Sequence, residues 1–208
     1  DVLHIAFSSG LSGTANAARL AAETLREEFP DRKIIVIDSL CASLGQGLLV
    51  DYALRMKDEG KSMEETAQWV QDHLQNICHL FTVDDLKYLQ RGGRISKTTA
   101  LLGTMIGIKP VLHVDEEGKL VPLSKVRGRK QSIQALVDKM EQNIGSYRSQ
   151  KQPIFISHGD CEEDAKYLAG LVKERFGYDE CLINIIGPTI GAHAGPGTLA
   201  LFFLGDVR

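Results

Sequence analysis

Hydroxyl groups crowd one short stretch near the start of the chain. Ser8, Ser9, Ser12 and Thr14 fall within seven residues that also hold Gly10 and Gly13. Such hydroxyls donate to anions, and glycines let backbone amides approach the same group. A second candidate lies far along the chain, where His193 is flanked by Gly191, Ala192, Ala194, Gly195 and Pro196. An imidazole with such small neighbours has room to donate to an oxyanion, shuttle a proton or carry a phosphoryl group. The plainer alternatives are a serine that caps a helix and a histidine hydrogen-bonded within its own loop. Gly-Lys-Ser/Thr is absent, so the serine stretch is not a Walker loop, and no His/Asp/Glu spacing resembles a metal site.

The elements around the serine stretch can position it. Ile5-Ala6-Phe7 leads in as a strand, and Ala15, Ala18, Ala22, Leu25 and Phe29 recur behind it at helical spacing. A strand–turn–helix junction presents free amide N–H groups and a positive dipole end, where an anion is stabilised. Lys33 to Ile37 is a continuous apolar run of the kind covered on both faces of a parallel sheet. It ends in Asp38-Ser39, expected beside the serine turn with Ser43, the first two as helix caps rather than ligand contacts. Helical register runs from Leu44 to Gly60, and Ser62 with Glu65 makes a capping box ahead of Ala67, Val70, Leu74 and Ile77.

Beyond Leu80 the pattern changes. A strand, a short helical turn and a basic glycine loop fill Leu80 to Ser96, and a buried short helix is expected around Ala100 to Ile106. Lys109–Val114 and Lys119–Val126 flank a turn and predict an antiparallel hairpin. Then follow a helix from Lys130 to Ile144, a strand at Pro153–Ser157, a helix ended by Gly177, a strand at Leu182–Ile186, a glycine-proline loop from Gly187 to Gly197 and a last strand at Leu199–Leu204.

Composition narrows the function classes. The net charge of −3 over 208 residues gives no global case for nucleic acid, and no apolar run is long enough to span a bilayer. Four cysteines without a Cys-x-x-Cys pair predict reduced, mostly buried thiols and a cytosolic setting. Between Asp84 and Lys130 ten basic residues face five acidic ones, densest at Lys125 to Lys130, which can steer an acidic partner. No aromatic interleaves with that run, so stacking on bases is unsupported. Asp1 to Ile5 already reads as a strand, so the chain is expected to begin mid-domain.

Five blocks in order, Phe7 to Thr14, Ile37-Asp38-Ser39, Phe81 to Ser96, Lys125 to Gly128 and Ile190 to Gly197, resemble the DegV family of fatty-acid-binding proteins. The resemblance implies an α/β fold of two lobes, expected at residues 1–78 and 79–208, the first with a parallel sheet and the second mixed or antiparallel. It implies a non-catalytic bacterial protein that holds a long-chain fatty acid in a tunnel and presents its carboxylate to a kinase subunit. That subunit makes an acyl-phosphate from ATP for phospholipid synthesis. Ser9 matches the family's carboxylate-binding hydroxyl, with Ser8 and the Gly10 amide beside it, and His193 matches its loop histidine. Arg127 and Arg129 match the basic motif tied to the kinase subunit, while Met105, Ile106 and Ile190 are expected tunnel walls. No metal or cofactor beyond the bound fatty acid is implied, and no nucleic acid; transient membrane contact is compatible. Family members carry an additional carboxylate-binding threonine ahead of the point where this chain begins. The alternative is a phosphotransfer enzyme phosphorylated on His193.

Overall fold

The computed structural model describes residues 1–96 and 107–208. The helix expected around Ala100 to Ile106, and with it Met105 and Ile106, lies outside the described residues. Strands β1 (Val2–Ala6) and β2 (Ile34–Asp38) form a parallel pair around helix α1 (Thr14–Glu28). Helices α2 (Leu44–Asp58) and α3 (Met63–Asp72) follow, the latter opened by the predicted capping box between Ser62 and Glu65.

The remaining strands build one six-stranded mixed sheet. Its elements are β3 (Ile77–Thr82), α4 (Lys87–Arg91), β4 (Ile108–Val114), β5 (Leu120–Arg127), α5 (Arg129–Asn143), β6 (Ile154–His158), α6 (Glu162–Phe176), β7 (Cys181–Ile185), α7 (Pro188–Ala194) and β8 (Leu199–Leu204). The strand order is β5-β4-β3-β8-β6-β7, antiparallel throughout except for β6 with β7. The chain is thus α/β, with a small parallel sheet and a larger mixed one.

Alternation along the strands divides the core. Cys78 and Leu80 on β3 and Leu201 and Phe203 on β8 pack against Ile133, Leu136 and Met140 of α5 and Leu168 of α6. Ile77, Phe81, Phe155, Ala200 and Phe202 face the other way, toward Leu48 and Leu49 of α2 and toward Ile5 and Ile37 of the small sheet. The candidate site lies on this second face.

Two expectations are corrected. The loop from Gly187 to Gly197 is largely helix: Pro188 fixes the first helical position and Gly195, at φ 82°, ends it. Asp38 and Ser39 cap no helix. Asp38 Oδ1 accepts the amides of Ser9 and Leu40, at 3.1 Å each, and so ties the two strand-end loops together; Ser39 Oγ accepts the Cys41 amide at 3.0 Å. The apolar stripe of α1 is buried only at Ala15 and Ala22, while Leu25 and Phe29 are exposed. A helix of this length runs about 22 Å and its five-residue strands about 17 Å, so the small sheet covers only part of it.

Candidate functional site

A cavity of about 410 Å³ opens between the serine turn, the start of α7 and this second face of β3, β8 and β6. Its walls are mostly apolar: Phe7, Leu11, Phe81, Leu89, Ile190 and Phe202 among them. Polar groups collect at the solvent end, where Ser12 and Thr14 leave the turn, Gly187 to Thr189 open α7, and Arg94 and His193 point in.

The serine turn is divided in its roles. Ser8 is fully buried and outside the lining; its hydroxyl donates to the Gly118 carbonyl at 2.8 Å, pinning the turn to the tip of the β4–β5 hairpin. Gly10 is pressed against the same tip, since a Cβ there would stand 2.6 Å from the Glu117 carbonyl oxygen. Ser9 is exposed, its amide donates to Asp38, and it too lies outside the lining. Ser12 and Thr14 do line the cavity, their hydroxyls 2.7 Å apart. The turn therefore offers the cavity its second pair of hydroxyls rather than its first.

Arg94 is the cation of the site. Its Nε and one terminal nitrogen donate to the Leu11 carbonyl at 3.1 and 3.0 Å, and the other terminal nitrogen donates to the Gly92 carbonyl. A guanidinium has five N–H groups, so two remain beyond these bonds. No carboxylate among the described residues lies within ion-pair distance of it. The basic glycine loop carries this residue, and the loop's glycines are needed: a Cβ on Gly92 would overlap Nδ1 of His193.

Deeper in, Ser43 Oγ donates to Ser157 Oγ at 3.0 Å on the cavity wall. His79 also lines the cavity and is buried on β3. Burial, then the Arg208 guanidinium, drives its pKa well below the usual histidine range. Its Nδ1 lies 3.0 Å from the Ile77 carbonyl and its Nε2 accepts the Ala42 amide at 3.4 Å, so the neutral ring has both nitrogens engaged. His79 carried no sequence signal, because only the packing of β3 against α2 makes it a wall.

The two arginines of the basic run part ways. Arg127 ends β5 with its side chain exposed. Arg129 Nε donates to Asp164 at 2.8 Å, and its Nη1 lies 3.8 Å from Asp84, which also pairs with Lys109 at 2.6 Å. Among the described residues no cluster of His, Cys, Asp or Glu could hold a metal ion, and no helix is long and apolar enough to cross a membrane.

Residues 1–206 match the family model described as "Uncharacterised protein, DegV family". The chain belongs to the DegV family. A DegV domain-containing protein of Clostridium perfringens is 47% identical over 208 residues, covering 100% of this chain and 71% of that protein. The crystal structure of the Streptococcus pneumoniae fatty acid kinase (Fak) B3 protein loaded with linoleic acid superposes with a TM-score of 0.90 at 28% identity, over 98% of this chain and 71% of that one. A DegV lipid binding protein of Thermotoga maritima gives 0.86 at 29% identity, over 100% and 70%. The cavity thus lies in a DegV fold whose solved relatives include proteins with fatty acid bound.

Proposed function

We propose that the protein binds a long-chain fatty acid in this cavity, methyl end inward, and holds the carboxylate at the mouth for a partner kinase. The observation that carries the proposal is the make-up of the cavity: mostly apolar walls, with a guanidinium that has no carboxylate partner among the described residues, an imidazole and two hydroxyls at the solvent end. Each buried methylene contributes about 0.8 kcal/mol, so a long chain supplies on the order of 10 kcal/mol before ordering costs. A carboxylate cannot leave water without donors, and the free N–H groups of Arg94 supply charge-assisted ones.

Fatty acid binding in DegV relatives, one of them a fatty acid kinase B protein, supports a role as the lipid-presenting partner of a kinase. The carboxylate stays near solvent, where ATP on a separate subunit can reach it, and this chain supplies no catalytic group. Ser9, on the same turn as Ser12, and the exposed Arg127 are the proposed contacts toward that subunit; Ile190 is a proposed chain contact. Solvent extraction of the purified protein followed by mass spectrometry tests the ligand class. About one fatty acid per chain is expected; protein that carries none and takes up none when offered it overturns the proposal.

A further inference from the structure

One register layer ends the cavity, and we propose that His79 and Phe202 form a floor that measures acyl-chain length. The inference rests on the fatty-acid reading above. β3 and β8 are antiparallel neighbours, with Phe81 opposite Ala200, His79 opposite Phe202 and Ile77 opposite Leu204. Two-residue spacing puts all three pairs on the cavity face. The first two pairs line the cavity; Ile77 and Leu204 do not, and both are buried in the core between the sheet and α2. The open lane therefore stops at the His79–Phe202 layer.

That layer is braced. The two rings meet edge to face, 5.4 Å between centroids at 84°. α2 closes over the histidine so tightly that a Cβ on Gly45 would overlap the imidazole Nε2. Because both ring nitrogens are engaged within the protein, the floor meets a ligand with ring carbon and phenyl surface, which suits a methyl terminus and not a carboxylate. One layer nearer the mouth, Ala200 keeps the lane open with a side chain of a single carbon.

The test is a chain-length profile: affinities of the delipidated protein for saturated fatty acids from lauric to arachidic acid. Phe202→Leu lowers the floor and is expected to move the optimum toward longer chains. Ala200→Leu blocks the lane and is expected to cost the longest chains about tenfold while sparing the shortest. Should Phe202→Leu fail to fold, Ala200→Leu decides alone. A folded Ala200→Leu variant with the wild-type profile overturns the floor assignment while fatty-acid binding stands. A wild-type protein that binds no member of the series overturns the fatty-acid reading itself, and the floor falls with it.

Discussion

His193 rests directly on Gly92, its Nδ1 filling the space that any side chain at position 92 would occupy. The glycine loop that carries Arg94 and the helix that carries His193 are therefore fitted to each other at the mouth of the cavity. Tyr88 of α4 repeats the fit, its ring lying 2.5 Å from where a Cβ on Gly195 would stand. Gly92→Ala is expected to displace the imidazole and weaken fatty-acid binding about tenfold. Gly170→Ala, in open space on α6, is the control: it should bind normally and be stabilised by about 0.5 kcal/mol. Calorimetric titration and thermal melts read both.

At the mouth, the hydroxyls of the serine turn are not equivalent. Ser12→Ala should weaken binding more than Ser9→Ala, because Ser12 lines the cavity and Ser9 faces outward. Arg94→Lys keeps the charge and loses the fork that grips Leu11 while offering free N–H groups, so about a tenfold loss is expected. Equal affinities for wild type and both the Ser12 and Arg94 variants would remove the carboxylate from this end of the cavity.

His79 makes the fold sensitive to acid. Its folded pKa is depressed, so the unfolded chain binds a proton near pH 6.5 that the native ring refuses. The stabilisation is complete above pH 6.5 and is lost as pH falls below it. His113, shifted the same way by partial burial, adds to the slope. Urea unfolding of His79→Phe should show a slope between pH 6.5 and 5 smaller than wild type by up to about 1.4 kcal/mol per pH unit.

Arg127 and Arg129 should separate partner engagement from stability. Arg127→Ala is expected to change unfolding free energy by less than about 0.5 kcal/mol while lowering acyl-phosphate formation with the proposed kinase partner. Arg129→Ala strips Asp164 and Asp84 of a largely shielded partner and should cost about 2 kcal/mol, discounted for the solvent that reaches both carboxylates. Chemical denaturation and a reconstituted kinase assay distinguish the two.

Much of the scaffold was legible in residue order alone. The parallel run at Ile34 to Ile37, the Ser62–Glu65 capping box, the β4–β5 hairpin and the Gly177 stop, at φ 74°, are local patterns with local physical causes. The α7 helix was missed because glycine and proline suggest a loop, although proline at the first position with glycine after the last is itself a helix signal. The site was legible in part. His193 and the serine turn stand out by composition, and Ile190 lies on the cavity wall. Which hydroxyls face the cavity was not legible, since that depends on the hairpin tip at Gly118 capturing Ser8 across 110 residues. His79 and Ser157 were equally hidden, because their exposure to a cavity follows from sheet register and not from their neighbours in sequence.

The most direct test is a crystal structure of the protein with palmitic acid brominated at its terminal carbon, in which anomalous scattering locates the bromine. The bromine is expected against Phe202 and His79, with the carboxylate on Arg94 and Ser12. Bromine at the Arg94 end, or bound outside the cavity altogether, would contradict this placement of the fatty acid.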